Sequence, residues 1–143
     1  VVAAVGRTAL VVGFADRAEG PRGRPLQNAV ALVREGRIVA KRYKSLLPTY
    51  DVFDELRYFE PGRGAEAIPC CGARLGLSIC EDIWIQEEAG PEARFYHANP
   101  IAALVEAGAD LLLNVSASPF VVGKIERRAA LGSRGKRERT AAP

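Results

Sequence analysis

The ten residues Leu75–Trp84, which read LGLSICEDIW, constrain the fold most strongly because they join a strand pattern to a cysteine. Leucine or isoleucine occupies every second position from 75 to 79, alternating with Gly76 and Ser78, and this period of two is typical of a buried β-strand. Cys80 follows where the strand gives way to an acidic turn. Open α/β sheets present reactive groups at this carboxyl edge, where a side chain leaves the core and meets a crevice. The pattern therefore favours a cysteine nucleophile, with a buried structural thiol as the alternative.

The bulk composition is typical of one globular domain with reduced thiols. A chain of 143 residues, 48% hydrophobic and 26% charged, is long enough to bury a core. It has neither a bilayer-spanning apolar run nor a signal-peptide pattern, which argues against a membrane or secreted protein. Cys70, Cys71 and Cys80 form a poor disulfide framework, which favours a cytoplasmic location, and a single histidine makes a metal site unexpected. Because it lacks methionine, the chain is interpreted as a fragment.

The basic residues are concentrated at the end of the chain. Residues 124–143 contain seven Lys/Arg and two Asp/Glu, which leaves 13 basic and 15 acidic residues before them. This segment has no aromatic side chain to stack on a base, so we expect a solvated, disordered end and no nucleic-acid partner. The predicted organisation is a domain over residues 1–123, followed by a helix start and basic tail over 124–143.

Further apolar runs predict an α/β fold. Asn99 and Pro100 are typical of a helix start, and Gly108 of a helix end. With the strand before Cys80 and an apolar run after Gly108, this helix predicts a parallel βαβ unit. The segment 44–61 has no period and is predicted to be a functional loop. The other predicted strands are 9–14, 28–33, 38–43, 67–71 and 111–115.

Lys44 is the predicted partner of Cys80, because it follows a strand and opens the long loop. A nearby ammonium stabilises a thiolate and can hold the oxyanion of a tetrahedral intermediate. We expect Lys44 and Cys80 to lie at the same edge of one sheet, with Glu55 and Ser116 close to both.

Four ordered segments resemble the nitrilase superfamily of carbon–nitrogen hydrolases. They are most similar to the glutaminase-domain branch found in glutamine-dependent NAD⁺ synthetases. CEDIW is the most specific element, and KSLLPTY followed by FDE is nearly as specific. The segments are NAVALVREGRIV at 28–39, KSLLPTYDVFDELRYFEPG at 44–62, RLGLSICEDIW at 74–84 and AGADLLLNVSASPF at 107–120.

The resemblance implies a partial α-β-β-α nitrilase-like sandwich with a Glu–Lys–Cys triad. Cys80 would be the nucleophile and Lys44 the lysine that stabilises the intermediate. Glu55 would be the second glutamate, which positions the lysine or the substrate; the alternative for Glu55 is a surface acid in a salt bridge. The family's general base is a glutamate at the end of an upstream strand. No glutamate precedes Glu19, which lies in a Gly/Pro/Arg loop, so this base is expected to be absent and the fragment inactive.

The resemblance also implies a set of residues that bind the substrate. Tyr50 would line the glutamine pocket, with loop packing as the alternative. Ser116 and Ser118 would bind the α-amino and carboxylate groups, with turn capping as the alternative. Glu81 is a further candidate for the substrate amine.

The implied activity is hydrolysis of glutamine through a cysteine thioester, with ammonia passed to an NAD⁺ synthetase domain. The hydrolysis needs no metal or organic cofactor, whereas ATP and Mg²⁺ are implied for the synthetase domain. The implied parent protein is a homo-oligomer. The alternatives are another amidase of the superfamily, or a catalytically incomplete piece that only binds acidic partners.

Overall fold

Two three-stranded sheets pack face to face in the part of the chain that the structure describes. This computed structural model describes residues 2–19, 23–50, 52–84, 96, 98–117, 122–123, 125–126 and 129. The strands are β1 (Leu10–Arg17), β2 (Leu26–Arg34), β3 (Arg37–Tyr43), β4 (Ile68–Cys70), β5 (Ala73–Ile79) and β6 (Leu111–Val115). The α-helices are α1 (Glu55–Tyr58) and α2 (Pro100–Glu106), and 3₁₀ turns span Val2–Ala4 and Cys80–Ile83. None of the described helices is long and apolar enough to cross a membrane.

The first sheet is an antiparallel meander in the order β1-β2-β3. Its second hairpin turns at Glu35 and Gly36, whose φ angles of 50° and 72° suit a two-residue turn. The central strand β2 is buried from 29 to 33, because neighbours flank it and the second sheet covers one face. The predicted hairpin is therefore present, and both of its strands are slightly longer than predicted.

The second sheet contains the predicted parallel βαβ unit. Strand β5 pairs antiparallel with β4 and parallel with β6, and α2 makes the crossover between β5 and β6. The Asn99 carboxamide oxygen accepts a 3.0 Å hydrogen bond from the backbone N–H of Ala102, and Gly108 has φ of +82° just beyond the helix. Both predicted helix boundaries are therefore present, each with its expected capping chemistry.

Strand β5 uses its two faces differently, as its alternating sequence predicts. The leucine and isoleucine positions pack with Val30 and Leu32 of β2 in the core between the sheets. On the other face, a Cβ added at Gly76 would lie 2.7 Å from Leu112 and 3.0 Å from Ala109. Only glycine therefore lets β5 sit this close to the neighbouring βαβ packing.

The expectation that Lys44 and Cys80 share one sheet is wrong. Lys44 follows β3 of the first sheet, whereas Cys80 follows β5 of the second sheet. Each strand of the first sheet pairs antiparallel with its neighbour in sequence, and β5 already has β4 and β6 as neighbours. Both residues nevertheless line one cavity between the sheets. The segment 44–61, predicted to be a loop, also contains the helical turn α1.

The predicted tail 124–143 lies outside the described residues, apart from positions 125, 126 and 129. Its predicted helix start and disorder therefore stay predictions, as does the domain boundary at 123.

Candidate active site

A cavity of about 370 Å³ opens between the carboxyl ends of strands from both sheets. Lys44 and Glu55 line it from the first sheet and its following loop, and Cys80 lines it from the second sheet. Its other walls include Phe14, Asn28, Phe59, Ile79, Val115 and Ala117. The structure thus brings three of the predicted site residues to one mostly apolar cavity, the usual setting for a small-molecule site.

Lys44 is buried and fully paired with Glu55. Its side chain is 1% exposed, and its Nζ donates to the two carboxylate oxygens of Glu55 at 2.6 and 2.7 Å. The backbone N–H of Lys44 donates to Asn28, and its carbonyl accepts from Gly62, both at 2.8 Å. A buried ammonium is costly unless it is paired and hydrogen-bonded, so these contacts fix one cation beside the cavity. The alternative prediction for Glu55 was a surface acid in a salt bridge. Glu55 does form a salt bridge, but its partner is the predicted site residue Lys44.

Cys80 sits in a strained backbone conformation at the end of β5. Its φ of +45° lies in the left-handed region, which few residues other than glycine adopt. Glu35 and Cys71 share this feature in two-residue hairpin turns, but Cys80 instead begins the 3₁₀ turn Cys80–Ile83. The Asn114 amide holds the Cys80 carbonyl at 3.4 Å. Strained backbone of this kind is found at functional sites, where the surrounding contacts hold it in place. Here the hydrogen bonds of Asn114 and Asp82 hold the turn that begins at Cys80.

Asp82 links the Cys80 turn to the chain that follows Lys44. Its Oδ1 accepts from the backbone N–H groups of Ser45 and Leu46, both at 2.9 Å, and its Oδ2 accepts from Ile79 at 3.0 Å. Burial raises the pKa of Asp82 to about 6, although the three N–H donors oppose this shift. One carboxylate therefore fixes Ser45, which follows the first sheet, and Ile79, which ends β5 of the second sheet.

Replacing Asp82 with asparagine is expected to loosen both sides of the cavity. The amide keeps one acceptor oxygen and turns an NH₂ group towards a backbone N–H, so at least one of the three bonds is lost. Alkylation of Cys80 by a glutamine-like electrophile should slow about tenfold, which corresponds to roughly 1.4 kcal/mol of lost positioning. Asp16→Asn, which removes a carboxylate bonded to Lys41 and Tyr43, is the matched control and should leave the rate unchanged.

The same variant reports the titration of Asp82. A carboxyl group with a raised folded-state pKa favours the folded state while protonated, so its contribution is present below about pH 4 and is lost as pH rises through about 6. The free energy of unfolding of the unmodified chain, measured relative to Asp82→Asn by urea denaturation, should therefore fall between these pH values. A difference that stays constant with pH, or an unchanged alkylation rate, would contradict the proposed role of Asp82.

The structure places Tyr50 and Glu81 against each other. The Tyr50 hydroxyl donates to Oε1 of Glu81 at 2.5 Å, and the Tyr96 hydroxyl approaches the same oxygen at 3.4 Å. Burial and the neighbouring Glu81 raise the pKa of Tyr96. Glu81 is itself buried, and neither Tyr50 nor Glu81 is among the residues that line the cavity. Their predicted contacts with substrate therefore stay predictions.

The predicted serine pair is described only in part. The hydroxyl oxygen of Ser116 is buried and has no hydrogen-bond partner among the described residues, while its neighbours Val115 and Ala117 line the cavity. A buried hydroxyl without a partner is costly, which suits an atom that bonds a ligand. Ser118 lies outside the described residues.

Two polar residues near Cys80 were not predicted to be part of the site. Asp82 belongs to the acidic turn after Cys80, and Asn114 belongs to the predicted strand 111–115. Asn114 donates to the Ser78 hydroxyl at 3.1 Å as well as to Cys80. The signal in the sequence was their position, since each lies at or just beyond the carboxyl end of a strand of the βαβ unit.

Comparison with known proteins gives the same family at the level of sequence and of fold. The profile of the carbon-nitrogen hydrolase family matches residues 2–135. A glutamine-dependent NAD(+) synthetase from Synechocystis sp. is 40% identical over 115 residues, covering 80% of this chain and 20% of that protein. The solved structure of a glutamine-dependent NAD+ synthetase from Acinetobacter baumannii has a TM-score of 0.72 and 30% identity, covering 89% of this chain and 21% of that chain.

A further solved structure shares the fold. The carbon-nitrogen hydrolase from Helicobacter pylori G27 superposes with a TM-score of 0.64 at 24% identity, covering 93% of this chain and 42% of that chain. The chain spans about one fifth of the length of each of these NAD⁺ synthetases. The predicted α/β, nitrilase-like sandwich is therefore confirmed.

Proposed function

Because the chain belongs to the carbon–nitrogen hydrolase family, we propose that its parent protein hydrolyses glutamine through a thioester on Cys80. The released ammonia then serves NAD⁺ synthesis, the activity named for the relatives that it resembles. The observation that carries the proposal is the ion pair of buried Lys44 with Glu55 in one cavity with Cys80. Such a set supplies a nucleophile, a fixed cation and a carboxylate, as acyl transfer requires.

In the proposed reaction, the Cys80 sulfur attacks the side-chain amide carbon of glutamine and forms a tetrahedral intermediate. The Lys44 ammonium stabilises its oxyanion, and Glu55 holds the ammonium in position. The C–N bond then breaks, and the amide NH₂ group leaves as ammonia with the proton that the Cys80 thiol has lost. Water attacks the resulting thioester, releases glutamate and returns a proton to the thiol.

Four further residues are proposed to recognise the amino-acid end of the substrate. Ser116 supports this role because its buried hydroxyl next to the cavity has no partner among the described residues. Ser118 is the second proposed ligand of the α-amino and carboxylate groups. Glu81 is proposed to attract the substrate amine, and Tyr50, bonded to Glu81, to form the adjacent wall.

The remaining proposals concern the general base, the cofactors and the partners. Glu55, the one Asp or Glu that lines the described cavity, is engaged by Lys44, and no glutamate precedes Glu19. General bases typically contribute about 10²–10⁴-fold to the rate, so we expect slow turnover by the 143-residue polypeptide on its own.

The hydrolysis is proposed to need no cofactor. The ammonia is proposed to pass to a synthetase domain that uses ATP and Mg²⁺. The parent protein is proposed to be a homo-oligomer. The free thiols of Cys70, Cys71 and Cys80 suit a cytoplasmic setting.

Ammonia release tests this function. We would compare the 143-residue polypeptide with a longer one that includes the upstream strand and glutamate of the family, on glutamine, asparagine and a simple aliphatic amide. The longer polypeptide should prefer glutamine and exceed the shorter one by about 10²-fold or more. A preference for another amide would indicate a different amidase. Equal rates for the two polypeptides would show that the upstream glutamate is not needed as general base. Glu81 would then be the first residue to test as the base.

A further inference from the structure

Two adjacent thiols lie at the end of β5 opposite to Cys80. Cys70 ends β4, and Cys71 with Gly72 forms the two-residue turn into β5. The φ angles of Cys71 and Gly72, +52° and +79°, place both in the left-handed region that such a turn uses. The sulfur atoms of Cys70 and Cys71 lie 3.4 Å apart, with Cys70 buried and Cys71 exposed. The hairpin therefore holds one accessible and one shielded sulfur next to each other.

The backbone geometry disfavours a disulfide between these cysteines. Adjacent Cα atoms are about 3.8 Å apart across a trans peptide, which is closer than the usual minimum of about 4.4 Å for a disulfide. The described chain has no cis peptide bond. A single soft atom bonded to both sulfurs avoids this strain, because bonds of about 2.3 Å place the two sulfurs roughly 3.3–3.8 Å apart. The observed separation already falls in this range.

The surroundings limit the kind of atom that suits the pair. Among the described residues, no group of three or more His, Cys, Asp or Glu side chains could hold a metal ion, so this pair acts with two sulfurs alone. Arg34 and Arg37 line the open groove beside Cys70, and these two cations disfavour a dication there in spite of Glu35. Val39 and Pro69 line the same groove and offer apolar surface. The suitable ligand is therefore an uncharged thiophilic centre with two bonds to sulfur and one apolar substituent.

We propose that Cys70 and Cys71 form a dithiol site for monosubstituted trivalent arsenicals. Two S–H bonds and the As–O bonds of the arsenical are replaced by two As–S bonds, and one water leaves for each arsine oxide, R–As=O. Arsenic stays trivalent and no oxidant is needed. The organic substituent lies over the groove lined by Val39 and Pro69. This site is independent of the proposed glutamine hydrolysis, because Cys80 lies at the other end of β5.

Phenylarsine oxide tests the site on the native 143-residue chain by intact-mass spectrometry. One phenylarsenic group should be retained per chain in excess monothiol and be removed by a small dithiol. Cys71→Ser should lower retention by about 10²-fold or more, because the second As–S bond is intramolecular only when both thiols are present. Cys70→Ser should have the same effect. Because Cys70 is buried and Cys71 is exposed, Cys71→Ser is the variant that leaves the core intact.

The control is Cys80→Ser, which should retain the arsenical as the unmodified chain does. Retention that survives Cys71→Ser, that is lost in Cys80→Ser, or that a monothiol reverses would overturn the proposal. Absence of any adduct on the native chain would also overturn it, because Cys71 is exposed and needs no opening of the core to react.

Discussion

Replacing Lys44 with methionine is expected to lower glutamine hydrolysis by the longer polypeptide about 10²–10³-fold, mainly in kcat. Methionine has a similar length but no charge, so the oxyanion loses its fixed cation while the cavity wall is kept. Lys41→Met is the matched control, because Lys41 pairs with Asp16 at 2.7 Å on the surface and does not line the Cys80 cavity. Its effect on kcat should be less than twofold.

A second variant separates catalysis from folding. Lys44→Met leaves the Glu55 carboxylate, which is 23% exposed, without its cation, and this should lower the free energy of unfolding by up to about 3 kcal/mol. Adding Glu55→Gln removes the abandoned charge, so the double variant should recover most of the stability measured by urea denaturation. Hydrolysis should not recover, because the oxyanion still has no partner. Activity that returns together with stability would show that Lys44 acts only through the fold.

Local features of the fold could be predicted from the sequence because they depend on neighbouring residues. The alternation of residues in β5 predicted which side chains face the core. Asn99 and Gly108 predicted where α2 begins and ends, because helix caps depend on residues only a few positions away. The βαβ unit followed because parallel neighbours need a crossover. The helical turn Glu55–Tyr58 was missed because four residues are too few to show a helical period.

The relation between the two sheets could not be predicted in the same way. Lys44 and Cys80 were both placed correctly at strand ends, yet sequence alone does not say which strands pair. The Asp82 contacts show the same limit, because its partners Ser45 and Leu46 are 37 and 36 residues away in sequence. A carboxylate that binds backbone N–H groups leaves no pattern in the sequence of its partners, because every residue except proline offers that donor.

Replacing Cys80 with alanine is expected to have the largest effect, lowering ammonia release by the longer polypeptide on the order of 10⁴-fold or more. No other thiol lines the described cavity. Cys70 and Cys71 cannot substitute, because the seven residues of β5 separate them from Cys80 by roughly 20 Å at about 3.3 Å per residue. Cys71→Ala is the matched control and should retain full hydrolysis.

The most direct test of the site is to map where a glutamine-like chloroketone attaches to the native 143-residue chain. Exposure alone favours Cys71, since Cys71 is exposed whereas Cys80 is half-buried. A cavity that binds glutamine and holds Lys44 beside the thiol favours Cys80 instead. Peptide mass spectrometry at partial labelling should find the adduct on Cys80, with free glutamine slowing its formation. Labelling that begins at Cys71, or that free glutamine does not slow, would contradict Cys80 as the nucleophile of a glutamine site.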